Sequence, residues 1–365
     1  MTAPFQPPRV LAWEVTRRCP LACRHCRAGA ANVRYEHELT TDECWRVIDS
    51  LTRTTNHEPR TMIIWTGGEP MLRPDILDLV SHATSRQLRS VMAPCGMLVT
   101  EERLAALKEA GVTACSFSLD GPDAASHDAF RGVAGAYANV TRAMRVARAI
   151  DMPFQVNVTV SALNADKLDA LYDRAVELGA AKLDLFFLVP VGRGKGIADY
   201  ALSDAQTRHV LDWAFAKAKT GPLAVKETCC PSAPAYWTAC GGEATCGPRP
   251  CGCLGGRGFA FLSHVGDLQT CGFIDVPCGN IRDFDCDVRA LAAAAVTPLG
   301  TPGTCHSLGW RVSRPQLRQR ASRPLPVAHP LTSPAMSAAA RASSASLFPT
   351  STAARRRAAP RATVG

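Results

Sequence analysis

Val10-Leu11-Ala12-Trp13-Glu14-Val15-Thr16-Arg17-Arg18-Cys19-Pro20-Leu21-Ala22-Cys23-Arg24-His25-Cys26 is the stretch whose reading decides the architecture. Its apolar opening, residues 10–16, has the composition of a strand. The strand runs into a loop with three cysteines spaced C-x3-C-x2-C. Three thiolates from one loop suit three irons of a cubane 4Fe–4S cluster, which is ordinarily closed by four cysteines. No fourth cysteine lies close by in the sequence, so one iron keeps an open corner for a small chelating molecule. Taken alone, the triplet leaves alternatives open. Cys23-x-x-Cys26 also suits a redox pair or half a zinc site, and single cysteines are often buried apolar residues.

Outward from this loop, strands and helices alternate. Further strands are expected at 61–65, 89–93, 113–119, 153–160 and 182–189. Helices are expected at 40–52, 73–87, 101–110, 136–150, 165–178 and 203–219, with Gly111 and Gly179 where helix C-caps belong. Six βα units argue for an α/β fold with a parallel sheet. The second strand leads into Thr66-Gly67-Gly68-Glu69-Pro70. Two glycines let a ligand approach the backbone, and Glu69 offers a carboxylate at a strand's C-terminal end, unless it is a solvated turn acid. Alternation along a strand puts Ser118 on one face with Asp120, and Asn157 with Thr159. The cysteine loop, the Gly67–Pro70 turn and Pro190-Val191-Gly192-Arg193-Gly194 all follow strands and converge on one face.

The 365 residues suit two domains or one large one. From Thr228 onward cysteines crowd together at 229, 230, 240, 246, 251, 253 and 271. The chain shows no signal peptide, which points to the cytoplasm. Thiols stay reduced there, so such a crowd suits metal ligation better than disulfides. The formal charge of +9 comes from 41 basic and 32 acidic residues. Eleven of the arginines fall in 288–365, which has no Lys, Asp or Glu; the remainder carries 30 basic against 32 acidic residues, a net of −2. The folded part therefore gives no reason to expect nucleic acid as a partner, and no apolar run is long enough to span a membrane. The tail lacks apolar periodicity and is expected to be disordered. Either it is a basic arm for an acidic partner or surface, or it is out-of-frame translation after a shift near 288–305; the break in pattern there favours the second.

The C-x3-C-x2-C loop, Gly67-Gly68-Glu69-Pro70 and Cys115-Ser116-Phe117-Ser118-Leu119-Asp120-Gly121 together resemble the radical S-adenosylmethionine (SAM) superfamily. The resemblance implies a partial (βα)6 TIM-like barrel over 1–220, with chemistry at the C-terminal strand ends. It implies a 4Fe–4S cluster on Cys19, Cys23 and Cys26, with SAM held by Gly67, Gly68, Glu69, Pro70, Ser118, Asp120, Asn157 and Thr159. His25 stands where an aromatic residue is usual, and Cys95 where Asn is usual. Cys253-x12-Gly266-x4-Cys271 is similar to the opening of a SPASM domain, which would make residues 221–287 a cysteine-rich extension. Cys253 and Cys271 are then candidate ligands of an auxiliary 4Fe–4S cluster. The four-cysteine run that normally follows is missing, so that cluster is an open question, with Cys229, Cys230 or Cys278 as substitutes.

Longer stretches narrow the resemblance. Ser126-His127-Asp128-Ala129-Phe130-Arg131-Gly132, Leu188-Val189-Pro190-Val191-Gly192-Arg193-Gly194-Lys195 and Gly255-Gly256-Arg257-Gly258-Phe259-Ala260-Phe261 resemble heme b synthases, the iron-coproporphyrin III decarboxylases. That family generates a 5′-deoxyadenosyl radical from SAM, with flavodoxin or ferredoxin as electron donor, and converts two propionates to vinyls. The missing cysteines would impair this activity, because the second electron lacks a defined exit. Propionates favour bidentate cations, and Arg supplies that geometry. Arg193, Lys195 and Arg27 are the substrate candidates, with Arg24 behind them and Arg131 read as a solvated charge. His127 and His264 could ligate the porphyrin iron but read more simply as structural. Heme d1 and iron-coproporphyrin synthases, peptide-modifying SPASM maturases and an inactive cluster-binding remnant stay as alternatives. Only nine residues precede the first strand, which argues against the peptide-recognition domain of a maturase.

Overall fold

A computed structural model describes residues 8–52, 61–239, 253–255 and 258–291. The expected alternation is present: β1 (Val10–Thr16), α1 (Thr41–Thr52), β2 (Met62–Gly67), α2 (Ile76–Ser85), β3 (Arg89–Met92), α3 (Glu101–Ala110) and β4 (Val112–Ser118). Next come α4 (Ala124–Arg131), α5 (Ala136–Ala149), β5 (Phe154–Val160), α6 (Leu168–Leu178), β6 (Lys182–Phe187), α7 (Asp204–Thr220), β7 (Ala224–Thr228) and α8 (Ala233–Ala239). Helix α4 was not expected; Asp123 starts it, its side chain accepting from Ser126 N at 2.8 Å. Gly111 and Gly179 cap α3 and α6 in the left-handed region, as their positions suggested.

Strands β1 to β7 run parallel in sequence order, and each pairs with the next. Both faces of such a sheet are covered, and the two faces differ. On β5, Phe154, Val156, Val158 and Val160 are buried, while Gln155, Asn157 and Thr159 are half-buried. The apolar face packs on the helices: Leu11, Trp13, Ile63, Trp65, Val156 and Leu183 share one core with Val47, Leu79, Leu104 and Leu171. Trp13 and Trp65 stack across β1 and β2 with centroids 5.5 Å apart. Each fully buried aliphatic side chain here contributes roughly 1.5–3 kcal/mol. The opposite face forms the lumen wall; there β4 and β5 present the polar Ser116, Ser118, Gln155, Asn157 and Thr159, while β2 and β6 add Met62, Ile64 and Phe186.

Two features of the C-terminal part differ from the expectation of a separate extension. β7 is hydrogen-bonded along β6, although it lies beyond the boundary at 220. Strand β8 (Phe259–Leu262) runs parallel to β1 on its other side and is continued by β9 (Asp267–Gln269) and β10 (Pro277–Asn280). The order is β10-β9-β8-β1-β2-β3-β4-β5-β6-β7, a single open sheet. The reason is burial: β1 is buried along nearly its whole length, so its backbone needs hydrogen-bonding partners on each edge. The tail also starts later than its composition suggests. Val288 and Leu291 are 0% and 1% exposed in the main core, and Val288 N donates to Ser50 Oγ. Residues 292–365, and with them the expected disorder and frameshift, lie outside the described residues, as do Cys240, Cys246 and Cys251. Among the described residues no helix is long and apolar enough to cross a membrane.

Candidate functional site

The cysteine loop leaves β1 and is fastened from four directions. Its own base closes on Cys19 N to Ala31 O, 3.0 Å. The end of β2 holds it next: Gly68 N donates to Thr16 O and Glu69 N to Arg18 O, both at 2.8 Å. The last carbonyls of α4, which lack partners inside their own helix, accept from the loop: Ala22 N to Arg131 O and Arg24 N to Phe130 O. The loop after β6 completes the clasp. Arg193 N donates to Cys26 O, Arg193 Nε to Cys23 O at 2.9 Å and Nη1 to Ala30 O at 2.6 Å.

Glycines permit this crowding. A Cβ on Gly68 would lie 2.4 Å from Arg17 O, and one on Gly192 would lie 2.2 Å from Arg27 O. The chain's own loop thus packs closely on the backbone at Gly67 and Gly68. Likewise Arg193 is a backbone clamp on the cysteine loop, with Nη2 its one buried unbonded nitrogen. Lys195 is exposed. Arg27 is paired with Glu14 at 2.7 Å and stacks over Phe261, 4.3 Å from the ring centre. Arg24 is exposed, over the Tyr200 ring.

Cys19 and Cys23 are buried and Cys26 half-buried, within one small apolar cluster that includes Leu21 and Ala30 and packs on Cys95 and Met97. Cys95 packs beside Cys19 and lowers the Cys19 pKa, while the neighbouring Cys19, burial and Glu69 push Cys95 up. Cys95 thus belongs to the site, which sequence spacing did not show. Burial raises Cys23, against the pull of Arg131. Arg131 is no solvated charge: it is 8% exposed, lies 2.5 Å from Asp120 Oδ2 and donates to Cys23 Sγ at 3.7 Å.

Glu69 and Asp120 expose almost nothing. Glu69 Oε1 accepts from Met71 N at 2.9 Å and Oε2 from Cys95 N at 2.6 Å; burial raises its pKa. Asp120 Oδ1 accepts from Thr159 N at 2.7 Å. Burial disfavours its charge, yet Arg131 holds its pKa below the usual range. Asp120 N donates to His127 Nδ1 at 3.1 Å, and burial lowers His127 to about 4, so it is neutral in the wall. His25 stacks on Phe130 and is also lowered to about 4 by burial. Glu14, 0% exposed, joins Arg17, Arg27 and His264. Burial alone would raise it; the His264 hydrogen bond and the two arginines hold it at about 2.

The lumen face keeps Ser118, Asn157 and Thr159 half-buried. Parallel register sets Ser118 beside Asn157, and Asn157 Nδ2 donates to Ser116 Oγ at 2.7 Å. Ser116 and Gln155, one pleat further in, were missed; the alternation already placed them on this face.

The matched region spans the loop and most of these strands: the model of the radical SAM superfamily matches residues 13–175. An AdoMet-dependent heme synthase of Nitratidesulfovibrio vulgaris is 40% identical over 284 residues, 75% of this chain and 76% of the relative. The chain belongs to the radical SAM superfamily. An AdoMet-dependent heme synthase of Methanosarcina barkeri is 38% identical over 295 residues, covering 78% of this chain and 82% of the relative. Among solved structures, Streptococcus suis SuiB bound to S-adenosylmethionine superposes with a TM-score of 0.56 at 15% identity. The match covers 73% of this chain and about 60% of SuiB, and shows a shared fold.

Radical SAM membership implies a 4Fe–4S cluster and SAM, and the loop fits the cluster. Among the described residues no His, Cys, Asp or Glu group closes around a single ion. A cubane takes one thiolate per iron, so its ligands surround a cube and need not converge on a point. Three soft thiols, a dry shell and a guanidinium on one sulfur suit an anionic iron–sulfur group.

Proposed function

We propose that this radical SAM enzyme oxidatively decarboxylates two propionates of iron-coproporphyrin III to vinyls, giving heme b. The observation that carries the reading is the 40% identity, over three quarters of both chains, to a relative named as an AdoMet-dependent heme synthase. Cys19, Cys23 and Cys26 would hold the cluster, and Ser118, Asn157 and Thr159 offer half-buried polar groups to SAM. When bound, the cluster and SAM supply one-electron reduction and hydrogen-atom abstraction.

The chain's own residues do the rest. Glu69 fixes the turn that pins the loop, so that the three thiols keep one geometry. Asp120 and Thr159 tie β4 to β5 beneath the lumen. The apolar shell around the cysteines keeps water from a reactive centre. Arg193 commits Nε and Nη1 to the loop, and Arg27 commits Nη2 to Glu14; the exposed Lys195 and Arg24 are offered as the cations for a propionate at the mouth. An auxiliary cluster on Cys253 and Cys271 is a separate proposal. The two residues flank Gly255, where an added Cβ would lie 3.3 Å from Cys253 Sγ and 3.5 Å from Cys271 Cβ.

Anaerobic incubation with SAM, a low-potential reductant such as reduced flavodoxin, and iron-coproporphyrin III tests the reading. Mass analysis should show two successive losses of CO2 plus two hydrogens. SAM cleavage with an unaltered porphyrin would refute the substrate and leave the cofactor assignment standing.

A further inference from the structure

Arg131 ends α4 beneath the cysteine loop and bridges two buried groups. Nη2 faces Asp120 Oδ2 at 2.5 Å, and Nη1 donates to Cys23 Sγ at 3.7 Å. Asp120 is fixed in turn by Thr159 N on its other oxygen and, through its backbone, by His127 and by Asn164 Nδ2, which donates to Asp120 O at 3.0 Å. The backbone carbonyl of Arg131 also accepts from Ala22 N, so this residue holds the loop by main chain and side chain together. A planar guanidinium serves two partners at once from one rigid fork, which an ammonium does not.

We propose that Arg131 is a positioning residue that sets the reduction potential of the cluster bound at Cys19, Cys23 and Cys26, with Asp120 orienting it. The inference rests on the cluster reading of the loop. Reduction adds one negative charge to the cluster. A hydrogen bond to a ligating sulfur and a nearby fixed cation stabilise the reduced form more than the oxidised one, and both are known levers on such potentials. Burial strengthens the interaction, since few waters screen it. Asp120 neutralises the pair's net charge, so the thiolate meets a dipole with its positive end toward sulfur. Removing the cation and removing the anion therefore have opposite signs.

The test is a redox titration of anaerobically reconstituted full-length protein, read by the electron paramagnetic resonance of the reduced cluster. Arg131→Gln should shift the midpoint to more negative potential, Arg131→Lys should shift it less in the same direction, and Asp120→Asn should shift it to more positive potential. A purely structural role would not give opposite signs. An unchanged midpoint in Arg131→Gln, or shifts of one sign in the Gln and Asn variants, overturns the proposal. Should Arg131→Gln fail to hold iron, Arg131→Lys decides: a wild-type midpoint there overturns it. If the wild-type protein itself takes up no four-iron cluster, the reading of the loop fails instead.

Discussion

Two regions of this chain carry cysteines in metal-ligand spacing, and they are built differently. The loop with Cys19, Cys23 and Cys26 is held by β1, β2, α4 and the turn after β6, through backbone hydrogen bonds at nearly every step. Cys253 is exposed and Cys271 half-buried, and each sulfur accepts from the amide two residues on, Gly255 N and Phe273 N, both at 3.4 Å. Cys229 lies near both, at a positive φ of 62°. The difference teaches that a ligand set is recognised by what holds its backbone, more than by the number of its thiols.

The largest effect should come from the loop. Cys23→Ala is expected to abolish 5′-deoxyadenosine formation and to drop iron to background in anaerobically purified protein. Wild-type SAM cleavage in this variant would break the comparison at its stronger side. Next comes the turn that pins the loop. Glu69→Ala leaves two buried amides, Met71 N and Cys95 N, without acceptors. It should cost about 4 kcal/mol in urea unfolding, at 1–3 kcal/mol per unsatisfied group. A loss under about 1 kcal/mol would mean that the loop does not depend on this pin.

Glu14 sharpens the same side through pH. Its folded pKa of about 2 lies below the ordinary 4.5. A depressed carboxylate stabilises the fold above its unfolded pKa, and the contribution fades as pH falls from about 4.5 toward about 2. The full contribution is on the order of 3 kcal/mol. Wild type and Glu14→Gln should therefore differ in urea midpoint at pH 6 and converge only near pH 2; a constant gap would count against the ion pairs. The smallest effect belongs to the second region. Cys253→Ser with Cys271→Ser should leave both stability, within about 0.5 kcal/mol, and the barrel's iron unchanged. Conversely, a four-iron signal surviving in the Cys19/Cys23/Cys26 triple Ala variant would show the second region to be as well organised as the first.

Much of this was legible in the sequence because the deciding residues are neighbours in it. The strand, the cysteine triplet and Gly67–Pro70 are local patterns, and period-two alternation gave the lumen face of β5. The surroundings of Arg131 and Arg193 were not legible because their partners are remote: Cys23 is 108 residues from Arg131 and 170 from Arg193. No spacing rule reports such contacts. Cys95 entered the site only through the turn after β3, and Ser116 through the register of β4 on β5. The tail boundary failed for another reason. A charge count sees the missing acids after Asp287 but not that Val288 and Leu291 fill the core.

The parallel pairing of β8 with β1 also has a temporal side. β1 is made before β8, its second neighbour, which follows only after the whole set of βα units. Until then the strand that feeds the cysteine loop presents an open edge, the kind that recruits other chains. A fragment ending at residue 220 would keep that edge permanently. The C-terminal segment is thus the part that closes the second edge of the strand feeding the cysteine loop, whatever chemistry its own cysteines perform.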